Sequence, residues 1–342
     1  MSPKPDLFNL MPRRHEVSCD QLGVIFVPLL GQTGLNVSSL CFGALALSPL
    51  QGCHDVTRGA AVLRYGLEQG INFLDTAEIY ANYEIIRRAL KGLSHPVVIA
   101  TKCYAYNREQ IKESLERARR GLDRDVIEIF LLHEQESMHT LRGHWEALEY
   151  LLEAKQKGVV KAVGLSTHAV AGVRAGAAVP EIDVIHPILN LAGLGIIDGT
   201  LPEMLEAIQM AHQMGKGIYG MKALGGGHLS QDPVQALNYA RQVPGVASVA
   251  VGMASRLEVD INLRIFAGLE VPAGWLKRLR QERRILHVAE WCEGCGRCQE
   301  KCPQGALSLE QGQARVDQAK CVLCGYCGAV CPHFCLKIIR QG

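Results

Sequence analysis

The chain has 342 residues, 48% hydrophobic and only 6% aromatic, with 36 basic against 34 acidic side chains and a formal charge of +2. That balance excludes a disordered chain and gives no basic block for nucleic acid. The length leaves room for one large aliphatic core plus one small domain.

Residues 1–21 read as an extension with no apolar signal segment, and residues 21–53 carry no charge. Pro28, Gly31, Gln32, Gly34 and Asn36 interrupt that stretch, so no run reaches the ~20 residues of a membrane span. The expectation is a soluble cytoplasmic protein with no membrane or nucleic-acid partner. Two short strands flank the Gly31–Gly34 turn. Beyond it, apolar β-rich runs alternate with helical patterns. The candidate strands are 40–47, 71–75, 97–102, 127–133, 160–166, 184–190, 218–222 and 246–252. Between them lie amphipathic stretches such as 108–121, with Ile111, Leu115 and Ala118 on one face, and 145–158, which ends in lysine and glycine. Eight strands alternating with eight helices imply an α/β fold whose parallel sheet closes into a (β/α)8 barrel. An open doubly wound sheet is the alternative, weakened because no G-x-G-x-x-G follows an early strand. The barrel is expected over 22–267. A linker and one further helix, 275–288, fill 268–289, and a small domain occupies 290–342.

That last segment carries nine of the 13 cysteines, eight of them in two regular runs. Cys292, Cys295, Cys298 and Cys302 precede Pro303; Cys321, Cys324, Cys327 and Cys331 precede Pro332. Each run reads C-x2-C-x2-C-x3-C-P, the spacing of bacterial iron–sulfur ligation, in which the fourth cysteine serves the other cluster. One cluster is therefore assigned to Cys292, Cys295, Cys298 and Cys331, the other to Cys321, Cys324, Cys327 and Cys302. Zinc or disulfides are the alternative for a single run and a poor account of two in tandem. The segment resembles a two-cluster [4Fe–4S] ferredoxin domain of α+β type. Cys19, Cys41, Cys53, Cys103 and Cys335 read as small buried hydrophobes.

Barrel chemistry sits at the C-terminal ends of the strands. Asp75 ends the second, with Tyr80 in the following loop; Lys102 ends the third and His133 the fourth. A lysine beside a phenol would lower its pKa, an aspartate would hold the lysine, and a histidine could orient a carbonyl. Together these make a general acid for carbonyl reduction. Taken singly, each is more often a solvated charge or a satisfied core residue.

The barrel resembles the aldo-keto reductases over 22–266. The likeness rests on Gly31-Gln32-Thr33-Gly34-Leu35, Phe73-Leu74-Asp75-Thr76-Ala77-Glu78-Ile79-Tyr80, Thr101-Lys102, Leu132-His133, Gly164-Leu165-Ser166 and Leu224-Gly225. It implies a catalytic tetrad of Tyr80, Asp75, Lys102 and His133. It also implies NADP(H) as cofactor, held by Ser166, Asn190, Lys222, Leu224, Gly225, Arg256 and Asn262, and a small aldehyde, ketone or alcohol as substrate. The nucleotide pocket departs from the family pattern. The usual Ser-Asn is Ser166-Thr167, a glutamine is replaced by His186, and the stacking aromatic falls near Met221. The basic residues for the 2′-phosphate align with Gly252-Met253-Ala254-Ser255 and Glu258. Gly225-Gly226-Gly227 reads either as a close approach for a pyrophosphate or as a tight turn. The alternative function is a ferredoxin-type electron carrier, or a reductase fed through its clusters, whose barrel no longer uses nicotinamide. A redox partner protein is possible in either case.

Overall fold

The computed structural model describes residues 25–51 and 53–340. The extension expected over 1–21, and Cys19 within it, lie outside them. Eight parallel strands close in sequence order into a barrel. They are β1 (Leu40–Gly43), β2 (Phe73–Asp75), β3 (Val98–Cys103), β4 (Ile127–Leu132), β5 (Val160–Thr167), β6 (Val184–Pro187), β7 (Gly217–Gly220) and β8 (Ser248–Gly252). The helices are α1 (Val56–Glu68), α2 (Tyr83–Leu90), α3 (Arg108–Leu122), α4 (Met138–Gly143), α5 (Trp145–Gln156), α6 (Val170–Ala178), α7 (Leu201–Gln213), α8 (Pro233–Gln242) and α9 (Arg256–Phe266).

Local chemistry sets their ends. Asn107 accepts from the Gln110 amide to open α3, and Asp123, at φ +56, closes it in the left-handed region. Ile111, Leu115, Ala118 and Leu122 then fall on the buried face. Thr200 and Glu203 form a reciprocal capping box at α7. The first strand is shorter than the apolar run suggests because Ala44–Leu47 winds into a 3-10 turn. Inside the barrel, Leu30, Cys41, Phe73, Ile129, Val184 and Tyr219 form a core separate from the larger strand-to-helix shell. The two expected N-terminal strands reduce to a single antiparallel bridge, Leu29 to Asn36. Gly31 sits at φ +54, where a Cβ would lie 2.3 Å from the Gly217 amide nitrogen. Only glycine lets this turn press against β7.

The helix expected over 275–288 is two elements. Helix α10 (Ala273–Gln281) has nine residues, and β9 (Arg284–Val288) follows. Ile285, Leu286 and Val288 had satisfied a helical pattern, but their main-chain groups pair with another strand. The second domain therefore starts near 284 rather than 290. It contains α11 (Arg297–Lys301), β10 (Leu307–Glu310), β11 (Gln313–Val316), α12 (Tyr326–Ala329) and β12 (Leu336–Arg340). Strands β9 and β12 pair antiparallel, as do β10 and β11. Each cysteine run makes the same turn: Gly296 at φ +81 and Gly325 at φ +83 open the two short helices.

This domain sits on the C-terminal face of the barrel. The Lys222 ammonium lies 4.3 Å from the Phe334 ring centroid, and His228 Nε2 is 3.0 Å from the Leu336 carbonyl oxygen. A Cβ on Gly226 would meet the Phe334 ring at 2.7 Å, and one on Gly227 the Ile338 carbonyl oxygen at 2.1 Å. The Gly225–Gly227 turn is thus where β12 docks. Nine helical residues span about 14 Å, so α10 alone is too short for the climb, and β9 completes it.

Candidate active site

The rim of the barrel brings Asp75, Tyr80, Lys102 and His133 together. Lys102, 1% exposed, donates at 2.8 Å to each carboxylate oxygen of Asp75 and at 2.8 Å to the Thr76 carbonyl. All three of its donors are therefore used, and none reaches the Tyr80 phenol. Its ammonium lies 5.2 Å from the Tyr80 ring centroid. Tyr219 also donates to Asp75 at 2.9 Å. His186 stacks on Tyr219 with centroids 3.8 Å apart, and its Nδ1 lies 2.6 Å from the Tyr219 carbonyl oxygen. Asp75 is thus a fully engaged buried carboxylate.

Tyr80 sits on a 3-10 turn whose carbonyl accepts from the Ser48 hydroxyl at 2.6 Å. Its ring meets His133 edge-on, with centroids 6.3 Å apart. Burial pushes the phenol well above its ordinary pKa, and the carboxylates of Asp75 and Glu134 push it the same way. The lowering by Lys102 expected from the sequence is not what this arrangement gives, because the ammonium is committed to Asp75. Burial, with Lys102 next, holds His133 well below the usual imidazole range, so the ring is neutral. Its Nδ1 is buried without a partner. Tyr104 stacks on that ring at 4.3 Å and donates to Glu134 at 2.6 Å.

Asp75, Tyr80 and His186 open onto a cavity of about 460 Å³. It runs past Met221, Lys222, Leu224 and Gly226 towards Gly252 and Glu258, and is closed by Arg284, Phe334, Lys337 and Ile338 of the second domain. Of the residues assigned to the nucleotide, Lys222 and Leu224 line this cavity; Gly225, Ser166, Asn190, Arg256 and Asn262 do not. Ser166 is fully buried and accepts from the Glu134 amide. The Asn190 side chain is taken up inside its own loop, donating to the Leu194 carbonyl and accepting from the Ala192 and Leu194 amides. The Arg256 guanidinium lies over Tyr65, 5.0 Å from its centroid. Glu258 accepts from the Ala254 amide and so caps the turn where a 2′-phosphate cation would be sought. The groove suits an elongated anion in size and cation supply, but the carboxamide clamp expected on β5 and β6 is otherwise engaged.

Residues the sequence reading did not select are Tyr219, Tyr104, Phe334 and Lys337. Tyr219 lay inside an apolar strand with nothing to mark its hydroxyl. Phe334 and Lys337 needed the docking of the second domain to become site residues. Cys103 faces away from the rim; burial raises its thiol to about 11, as suits a structural cysteine.

The cysteines fall into the two crossed sets. Cys292, Cys295, Cys298 and Cys331 ring one cavity, and Cys302, Cys321, Cys324 and Cys327 ring another. Among the described residues, no three or more Cys, His, Asp or Glu converge closely enough for one metal ion. Four thiols spread around a cavity fit a cubane rather than a single zinc. Main-chain amides of Ala314, Ala306 and Cys335 point at the sulfurs of Cys292, Cys302 and Cys331, at 3.4, 3.3 and 3.2 Å. Such bonds favour thiolates and tune a cluster's potential.

The aldo/keto reductase family profile matches residues 39–235, and a 4Fe-4S dicluster domain profile matches residues 284–332. L-galactose dehydrogenase of Arabidopsis thaliana is 26% identical over 288 residues, covering 70% of this chain and 88% of that protein. Aldo-keto reductase YhdN of Bacillus subtilis is 26% identical over 189 residues, 51% of this chain and 56% of its own length. Several other curated relatives are matched over only about half their length. In fold, the chain is similar to an aldo-keto reductase from Bacillus halodurans, with a TM-score of 0.62 at 24% identity, covering 75% of this chain and 96% of that one. With its closed barrel, rim residues and matched span, the chain belongs to the aldo/keto reductase family and is an oxidoreductase with a fused 4Fe-4S dicluster domain.

Proposed function

We propose that this oxidoreductase interconverts a small aldehyde or ketone with its alcohol, with Tyr80 as the proton donor to the carbonyl oxygen. The observation that supports it is the placing of Tyr80 on the large rim cavity beside a buried Lys102–Asp75 pair. A phenol with a raised pKa stays protonated at neutral pH and gives its proton up only to a more basic alkoxide, which is what forms as a carbonyl is reduced. The neutral His133 ring, edge-on to Tyr80, keeps its Nδ1 buried and unpartnered behind the cavity wall. Asp75, Lys102 and Tyr219 fix the floor beneath them.

Reducing a carbonyl takes two electrons and two protons. Nicotinamide, when bound in the groove, supplies a hydride; two clusters supply two electrons singly. A cluster-fed reading is favoured by two observations: the engaged carboxamide partners, and Phe334 and Lys337 closing the cavity that Tyr80 lines. Phe334 follows the cluster ligand Cys331 by one turn, with its amide 3.3 Å from the Cys331 carbonyl oxygen. Cys295 and Cys324 are exposed, and a redox partner protein would meet the clusters there. Thiolate-bound clusters fit a reducing compartment, so we place the protein in the cytoplasm. The test is Tyr80→Phe in the iron-replete protein, assayed on a panel of aldehydes and ketones with NADPH or with dithionite-reduced clusters. Turnover is expected to fall by ~10²–10⁴-fold with cluster content unchanged. A variant within threefold of the parent rejects Tyr80 as the acid. Fluorescence titration with NADPH and NADH then separates the two electron sources.

A further inference from the structure

Lys222, from the loop after β7, and Lys337, from β12 of the second domain, line the same cavity as Tyr80. Lys337 is 6% exposed, and its ammonium lies over the face of Trp291, 4.2 Å from the ring centroid. Lys222 donates to His168 Nε2 at 2.8 Å and lies over Phe334 at 4.3 Å. It holds φ +58, a left-handed conformation that a lysine adopts only when its surroundings impose it. Among the described residues, neither ammonium has a carboxylate within salt-bridge distance. Glu134, the acid acting on both, accepts from the Tyr104 hydroxyl at Oε2 instead.

We propose that Lys222 and Lys337 form an anion subsite, shared between the barrel and the cluster domain, that takes a carboxylate or phosphoryl group of the substrate. This rests on the carbonyl reading above and narrows it. The substrate would be an aldehyde, ketone or alcohol that also carries an acidic group, held with its reacting carbon towards Tyr80.

Two lysines on one cavity with no acid within salt-bridge distance repel each other, and burial adds to the cost of both charges. Burial and Lys337 draw Lys222 down to about 7, while burial draws Lys337 down to about 8. A bound anion would supply the missing partner for both. Because one lysine comes from each domain, the subsite exists only when the cluster domain is docked. Substrate binding and closure of the cluster domain over the rim would then be one event.

The experiment is calorimetric titration of the iron-replete protein with sodium pyrophosphate and, separately, sodium oxalate. It is repeated on Lys222→Met, Lys337→Met and Lys337→Arg, each checked for iron content and circular dichroism. At least one probe should bind the parent, and the stronger probe shows whether phosphoryl or carboxylate is preferred. Each methionine variant should bind about tenfold or more weakly, the usual consequence of losing a charge-assisted hydrogen bond. Lys337→Arg should stay within about threefold. Parent protein that binds neither probe overturns the proposal, as does binding that both methionine variants retain. If the lysines only offset cluster charge, neither probe binds and Lys337→Met moves cluster midpoint potentials alone, which also overturns it. No turnover is measured here. A failed subsite is thus distinguishable from a failed carbonyl chemistry, which shows in Tyr80→Phe.

Discussion

Lys102→Met separates a structural lysine from a catalytic one. The substitution keeps side-chain volume and removes the three hydrogen bonds of the ammonium to Asp75 and Thr76. Asp75, whose side chain is 7% exposed, is left with the Tyr219 hydroxyl at 2.9 Å and His186 at 3.6 Å. Breaking a buried pair by removing one partner costs about 3–5 kcal/mol, because the remaining charge has lost its counter-ion. Replacing both charges by apolar groups of similar size costs far less. Lys102→Met should therefore destabilise the barrel by about 3–5 kcal/mol, and Lys102→Met with Asp75→Leu should regain most of that. Urea unfolding followed by far-ultraviolet circular dichroism reads both, since most of the helix belongs to the barrel. A single variant within 1 kcal/mol of the parent would refute the reasoning, as would a double variant less stable than the single.

Anaerobically purified protein should carry about eight irons and eight sulfides per chain, the content of two cubanes. Cys295→Ser should lose about half of the iron while the barrel stays folded; Cys335→Ala should keep it all, although Cys335 borders the first cysteine cavity. Gly227→Ala puts a Cβ within 2.1 Å of the Ile338 carbonyl oxygen at φ +94. It should weaken docking of the cluster domain and speed proteolysis in the 268–274 linker, with barrel stability little changed. His133, His168 and His186 are all held below the ordinary imidazole value by burial, His186 at about 4. The unfolded chain binds protons at these sites below about pH 6.5 while the folded chain does not, so stability is full above that pH and falls beneath it. The urea midpoint should therefore drop between pH 6.5 and 4.5, and a midpoint that rises over that interval would contradict the buried neutral histidines.

All eight barrel strands were legible because parallel strands buried on both faces read as short apolar runs between amphipathic helices. Their ends were not, since Ala44–Leu47 is as apolar as a strand while wound as a turn. That Asp75, Tyr80, Lys102 and His133 gather at the rim was legible because each lies at or just beyond a strand end. The hold of Asp75 on Lys102 was legible as well; that burial would raise the Tyr80 phenol rather than Lys102 lower it was not. The crossed cysteine sets followed from the doubled motif alone. Arg284–Val288 carries a helical pattern in sequence because its strand partner, β12, lies some fifty residues further on. The glycines at 225–227 read equally as a close approach for a pyrophosphate or a tight turn; that β12 packs against them emerged only from the packed domains.

That the cluster domain closes the barrel pocket through Phe334 and Lys337, next to the first cysteine cavity, is tested most directly by electron paramagnetic resonance of the dithionite-reduced protein. Spectra are taken without addition, with NADPH and with pyrophosphate. A ligand filling the cavity should shift the signal of the cluster held by Cys292, Cys295, Cys298 and Cys331, and Phe334→Ala should diminish the shift. Identical spectra at saturating ligand, with binding confirmed by calorimetry on the same sample, would contradict a cluster placed next to the pocket.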